Sequence, residues 1–332
     1  MQQDSFDGTR RAFLQMTALG GLSLAAGASL AQSSQWPTKP IRLLVPFTPG
    51  LPPDIVSRLL ASSLTTSLGQ PVFVENKPGA IGMVAVNELL KQPADGHTLL
   101  CMLMPVVTAP VLLPAQKVDL EKSLMPVSQI DRAPSVLIAN NSLSASSLKE
   151  FVALLKARPN ELSFASSGNG TPAHLAGELF KLQQKVQATH VPYSQISMTI
   201  PDLLSNRVQF MFLTSSVAVP LIAAGKVKSF GVVGDKRLPA LPQLPTLAEQ
   251  GIWDFDTSNW NGIVVKAGTP PEIVQRLNAE IVALLSRRDT VEKFQEMGTQ
   301  AMPSTPTQFG ELIRAESKKW RDVIAAANIK AD

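Results

Sequence analysis

One cysteine, one tyrosine and three histidines in 332 residues leave little room for several kinds of chemistry. Cys101 alone cannot make an intramolecular disulfide, and inside the apolar run LLCMLM it reads as a small buried hydrophobe. His97, His174 and His190 stand in no HExxH-like spacing, which argues against a metal site. The chain has no GxxxxGK[ST] phosphate loop and no GxSxG elbow. A hydrolase built from Ser167, His174 or His190, and Asp202 therefore lacks its usual setting. Lysines and arginines form no run and do not interleave with aromatics. The net charge of +4, from 30 basic and 26 acidic side chains, thus suits acidic solutes without demanding nucleic acid. Past residue 31 no apolar stretch reaches the roughly 20 residues of a membrane span.

What is present begins with Thr9-Arg10-Arg11-Ala12-Phe13-Leu14, followed by an uncharged Ala, Gly and Leu run from Met16 and the small-residue pattern Ser29-Leu30-Ala31. This reads as an export signal of the twin-arginine type over residues 1–31, with cleavage expected near Ala31 and a soluble periplasmic product.

From Pro40 short apolar runs alternate with amphipathic stretches, the pattern of an α/β fold built on mainly parallel sheets. IRLLVPF, PVFVEN and HTLLCMLM read as strands separated by two helices. SVLIAN, the strand before Ser166, ATHVPY, VQFMFL and VKSFGVVG continue the rhythm with further helices between them. Ser147 with Glu150 three residues on predicts a capping box. Thr269-Pro270-Pro271-Glu272 and Thr305-Pro306-Thr307-Gln308 predict capped helix starts with proline at the first helical position. VSQIDRAPSVLIAN near residue 130 and DFDTSNWNGIVV near 257 read as two crossings. They divide the mature chain into a first lobe, 38–132 plus 257–332, and a second, 133–256.

The most informative stretch is LSFASSGNGTPAHLAGELF, residues 162–180. It reads as a strand, a turn through Gly168 and Gly170, and a helix opened by Thr171 and Pro172. The first N–H groups of such a helix have no partner within it and can face an anion. Ser166, Ser167, Asn169 and Thr171 add neutral donors, and no cation lies in the turn. The same strand, turn and helix is also an ordinary connection that binds nothing. Gly168-x-Gly170-x-x-Ala173 fits a loose dinucleotide fingerprint, but no acidic residue stands where a ribose would need one.

Other turns at carboxyl ends of strands add Phe47, Thr48, Gly50 and Asp54, then Met104, then Thr214, Ser215 and Ser216. Asp54 can stiffen its loop or act as a plain N-cap. His174, on the first turn of the cradle helix, lines the site or packs. Tyr193 is a hydrogen-bonding wall or core.

PTKPIRLLVPFTPGLPPDIVSRLL, GQPVFVENKPGAIG, PADGHTLL, FASSGNGTPAHLAGELF, THVPY, PTLAEQG and AGTPPEIVQRLN, in that order, closely resemble the signature segments of the Bug family, the solute receptors of tripartite tricarboxylate transport systems. The resemblance covers nearly the whole mature chain. It implies a type II periplasmic binding protein fold, two α/β lobes joined by two crossing strands with a small carboxylate in the cleft. It also implies a membrane permease as partner. Phe47, Pro49, Gly50 and Asp54 match the family's first loop, and Ser167, Gly168, Gly170, Thr171 and His174 match its cradle. Leu51 stands where a second glycine is usual, Ser194-Gln195 where Lys-Gly is common, and His97 where a tyrosine is usual.

The expectation is a monomeric receptor for a carboxylate, without cofactor, nucleic-acid partner or enzymatic activity. Its ligand residues are Phe47, Thr48, Gly50, Asp54, Met104, Ser167, Gly168, Asn169, Gly170, Thr171, His174, Tyr193, Thr214 and Ser215. The alternative is a periplasmic enzyme exported folded around a cofactor.

Overall fold

The computed structural model describes residues 36–50, 52–193 and 195–330. The stretch read as an export signal, residues 1–31, and Leu51 and Ser194 lie outside the described residues. The architecture below is that of the compact unit that begins at Lys39.

Two mixed sheets carry it. In the first, β1 (Ile41–Val45), α1 (Pro52–Leu68), β2 (Val72–Asn76), α2 (Met83–Lys91) and β3 (Thr98–Leu103) alternate as the apolar spacing predicts. Val56, Leu60 and Leu64 recur every four residues along α1 and are buried, so one helical stripe covers the sheet. The strands β1, β2 and β3 run parallel. The turn after β3 leads through a short helix α3 (Ala109–Leu112) and α4 (Leu120–Ser123) to β4 (Leu124–Ala133). All six residues of β3 are buried, as expected of a strand covered on both faces. Burial pushes the Cys101 thiol up to about 12, consistent with a packing role.

At Pro134 the chain leaves the first sheet. The second contains β5 (Ser135–Asn140), α5 (Leu148–Ala157), β6 (Ser163–Ser166), α6 (Pro172–Gln184), β7 (Thr189–Pro192), α7 (Ile196–Leu204), β8 (Phe210–Thr214), α8 (Ser215–Ala223) and β9 (Val227–Val232). Its strand order is β7-β6-β8-β5-β9, with β6 parallel to β7 and β8. Phe151, Phe180, Phe210, Phe212, Phe230 and Phe255 pack ring to ring beneath it.

The chain then returns to the first sheet as β10 (Asn259–Lys266), inserted antiparallel between β3 and β4. The helices α9 (Pro271–Leu285), α10 (Arg288–Glu296) and α11 (Pro306–Ala326) follow, with the two-residue β11 (Gln300–Ala301) on the edge of β4. Arg132, at the outgoing crossing, pairs with Asp256 on the returning one. Trp260 is buried in the first lobe, edge-on to Phe309 at 5.6 Å, with its indole N–H directed at Glu316.

The caps show where local pattern suffices. Thr305 and Gln308 form the complete reciprocal box. Ser147 accepts from the Glu150 N–H, but the Glu150 carboxylate reaches one residue further back, to the Ser146 N–H and hydroxyl at 2.8 and 2.7 Å. The α9 cap falls on Pro270 rather than Thr269, because the Thr269 hydroxyl donates to the Lys266 carbonyl and closes the preceding turn.

Candidate functional site

Parallel strands end together, so β6, β7 and β8 present the turns after Ser166, Pro192 and Thr214 along one edge of the second sheet. β1 and β3 do the same in the first sheet with the turns after Val45 and Leu103. The two edges meet: Leu112, on α3, packs onto Gly170, its Cδ1 lying 2.5 Å from the point a Cβ there would occupy.

The turn between β6 and α6 is held mainly from within. Gly168 and Gly170 have φ of 120° and 72°, the half of backbone space that glycine enters without cost. The Gly168 carbonyl accepts from the Ser166 hydroxyl at 3.0 Å and the Thr171 hydroxyl at 2.7 Å. The Gly168 N–H donates to Ser166 Oγ at 3.2 Å, and the Gly170 N–H donates to His174 Nδ1 at 3.0 Å. Thr171 is the N-cap residue, yet its side chain makes no cap bond to α6. Its hydroxyl proton is committed to Gly168, so towards a ligand Thr171 can accept but not donate, which corrects the donor role expected of it. Pro172 has no N–H, and Leu175 donates to the Thr171 carbonyl at 2.9 Å. Between them stand the Ala173 and His174 N–H groups, which α6 leaves without an internal acceptor. Ser167 and Asn169 are half-buried in the same turn.

His174 is buried, and its ring stacks on His190 at 3.7 Å with 6° between the planes. Burial, with help from His190 and Lys181, pushes His174 down to about 3. It is neutral at physiological pH and its Nδ1 is already an acceptor. Tyr193 packs against the core of the second sheet. Its hydroxyl donates to Asp202 at 2.8 Å, and burial, then Asp202, holds that proton on more tightly than usual.

In the facing lobe Phe47, Thr48 and Gly50 are exposed and Asp54 is buried. Asp54 lies inside the first turn of α1 and is not its N-cap. Its carboxylate accepts from the Gly50 N–H, Arg58 Nε and the Asn76 amide, each at 2.9 Å. The same Asn76 amide donates to the Phe47 carbonyl at 3.0 Å. Burial raises the Asp54 pKa, and these three donors outweigh it, leaving the carboxyl below its ordinary range. Asp54 therefore ties the loop and has no spare capacity for an anion.

Two expected ligand residues are placed elsewhere. Met104 is 0% exposed, because the turn after β3 folds its apolar side chains inward, and it can act only by packing. Ser215 is buried and donates its hydroxyl to the Gly298 carbonyl of the other lobe at 2.9 Å. Thr214, just before it, is half-buried at the same sheet edge as the cradle. Sequence reasoning missed Leu112 and Gly298 as interlobe contacts, since nothing local marks either.

The model of the tripartite tricarboxylate transporter family receptor matches residues 56–329. Protein BugT of Bordetella pertussis is 32% identical over 320 residues, covering 95% of this chain and 98% of BugT. Among solved structures, R. palustris Rpa4515 with adipate aligns at a TM-score of 0.75 and 32% identity, over 90% of this chain and 100% of that one. MatC (Rpa3494) from Rhodopseudomonas palustris with bound malate aligns at 0.72 and 29%, over 87% and 100%. The two sheets and their two crossings are those of a type II periplasmic binding protein. Matched along most of its length by the family model and by BugT, the chain belongs to the tripartite tricarboxylate transporter receptor family.

Proposed function

We propose that the protein is an exported periplasmic receptor that closes its two lobes over a small carboxylate and hands it to a tripartite tricarboxylate-type membrane permease. The observation that carries this reading is the β6–α6 turn. It is a helix N-terminus with its first-turn Ala173 and His174 N–H groups unclaimed by the helix, at an edge where the two sheets meet, with Leu112 of the other lobe seated on it. Those N–H groups, assisted by the Ser167 hydroxyl and Asn169, are proposed to hold one carboxylate, with Thr171 at the rim. Phe47, Thr48 and Gly50 are proposed to close from the opposite side on a loop that Asp54 keeps in shape. Relatives that carry adipate and malate support a carboxylate as the class of ligand. The arginine pair Arg10-Arg11 and the cleavage pattern at Ala31 support export. Among the described residues no helix is long and apolar enough to cross a membrane.

A binding role also fits the histidines better than catalysis does. His174 Nδ1 is occupied by the Gly170 N–H and cannot serve as a base for Ser167 while the turn keeps this form. The protein is taken to act as a monomer without a cofactor. A thermal-shift panel of carboxylates, amines and neutral sugars tests the reading, with mass spectrometry of whatever co-purifies in the cleft. Carboxylates alone should stabilise the protein, by about 2.7 kcal/mol at 100 times the dissociation constant. Stabilisation by sugars or amines and by no carboxylate overturns it.

A further inference from the structure

Behind the cradle lie two imidazoles that the binding role alone does not explain. His174 and His190 come from different elements, α6 and β7, and stack face to face, with Phe164 beside both rings at 6.3 and 4.8 Å. Each reaches one glycine of the turn. His174 Nδ1 accepts the Gly170 N–H at 3.0 Å. His190 Nε2 lies 2.7 Å from Ser166 Oγ, the atom that accepts from the Gly168 N–H and donates to the Gly168 carbonyl. One proton arrangement satisfies this set. His174 carries its hydrogen on Nε2, 3.9 Å from Glu178 Oε1, and His190 carries one on Nε2 that it donates to Ser166.

We infer that His174 and His190 are positioning residues for the anion cradle, each holding one of its two glycines in the conformation that turns the remaining N–H groups outward. The inference rests on the proposed carboxylate site and adds what sets that site's shape. Gly170 is buried, so its N–H needs a partner inside the protein. Among the described residues His174 supplies it from four positions along the chain. A neutral imidazole is required, because a proton on Nδ1 would remove the acceptor and face the Gly170 hydrogen with another. The charged groups around the pair are Lys181 and Glu178 on α6, themselves paired at 2.8 Å. Burial, His190 and Lys181 all keep His174 neutral, so the cradle should hold its shape through mildly acidic pH. Stacking at 3.7 Å links the two supports, since protonating both rings would place like charges face to face in a buried site.

Nuclear magnetic resonance of the full mature protein, labelled with nitrogen-15, reads the proposal directly. A scalar coupling across the N–H···N bond between the Gly170 amide and His174 Nδ1 is expected, together with an Nε2–H tautomer at His174 that persists down to pH 5. Calorimetry with adipate, malate, hexanoate and benzoate then compares variants, using whichever binds the parent most tightly. His174→Leu should lose at least tenfold in affinity. His174→Asn, which offers an oxygen near the Nδ1 position, should recover to within about threefold of the parent. His190→Phe keeps a stacked ring but no nitrogen and should lose at least threefold. Absence of the coupling in the parent, or parental affinity in His174→Leu, overturns the inference. A parent that shows the coupling but binds none of the four acids overturns the carboxylate reading and the inference with it, and the coupling tells that failure from a wrongly assigned hydrogen bond.

Discussion

Leu112 and Gly170 stand 58 residues apart in different lobes, yet a Cβ on Gly170 would sit 2.5 Å from Leu112 Cδ1. Gly170 is also left-handed at φ 72°, so a side chain there meets two separate obstacles. Gly170→Val should cost about 1–3 kcal/mol in backbone strain alone, and the branched side chain would push Leu112 off the cradle. We expect a melting temperature lower by several degrees and at least a tenfold loss of carboxylate affinity, read by differential scanning calorimetry and isothermal titration. A variant that binds like the parent would place the ligand elsewhere.

Thr171→Val removes the hydroxyl that donates to the Gly168 carbonyl. Its effect should come through the shape of the turn and not through a lost ligand contact. One neutral hydrogen bond contributes about 0.5–1.5 kcal/mol, so a three- to tenfold weakening is expected. Thr171→Ser, which keeps the donor, should bind within about twofold of the parent by the same titration.

Much of this architecture can be read along the chain, because periodicity and capping are local. The pair Thr305, Gln308 appears as expected, whereas of the apolar face Ile55, Val56, Leu59, Leu60 and Leu64 that the spacing predicts, Val56, Leu60 and Leu64 are buried and Ile55 is exposed. The cradle itself is also local, a strand, two glycines and a helix start. What cannot be read locally is which of its donors are already spent. Ser215 looks like an open turn residue until Gly298, 83 residues later, takes its hydroxyl. Trp260, in the returning crossing, is buried in the first lobe against Phe309 and Glu316. The exposed indole on the return path is Trp253, at 68%. Partners of this kind are fixed by how the lobes pack, and one residue type fits many such partners.

Asp54 gives a prediction for the facing loop. Its carboxyl is held below the ordinary range, so the folded state binds its proton less readily than the unfolded chain does. The stabilisation is complete above the unfolded value of about 3.9 and disappears as pH falls through the lower folded one. Asp54→Ala leaves the Gly50 N–H and the Asn76 amide short of an acceptor, and should cost about 2–3 kcal/mol at pH 7. Urea midpoints of parent and variant should converge as the pH drops well below 4.

Asp131, beside the outgoing crossing, has the opposite sign. Burial pushes it up to about 7 against the pull of Asn261 and Thr299. Between the unfolded value near 3.9 and 7 the folded protein holds more protons, so stability falls as pH rises across that window. Asp131→Asn should remove the slope and stabilise the protein at pH 8 by on the order of 2–4 kcal/mol. An amide fits there. Asn261 can still donate to its oxygen, and Thr299, which donates to the Arg132 carbonyl at 2.9 Å, can accept from its nitrogen. Equal urea midpoints for the two proteins at pH 8 would show that Asp131 is ionised without penalty.

Gly298 tests whether binding works by closure. It packs against the start of α8, where an added Cβ would lie 2.5 Å from Ser216 Cβ and 2.6 Å from Ser216 Cα. Backbone cannot swing aside as a flexible side chain can, so Gly298→Ala must separate the lobes at this seam or distort α8. The Ser215 hydroxyl bond to the Gly298 carbonyl would be lost in either case. If ligand binds only the closed form, lowering the closed fraction to about a tenth weakens apparent affinity about tenfold, with every ligand contact intact. Small-angle scattering should then show a larger radius for the ligand-free variant than for the ligand-free parent. Saturating ligand should bring the two radii together. An unchanged radius with unchanged affinity would show that the seam at Gly298 takes no part in closure.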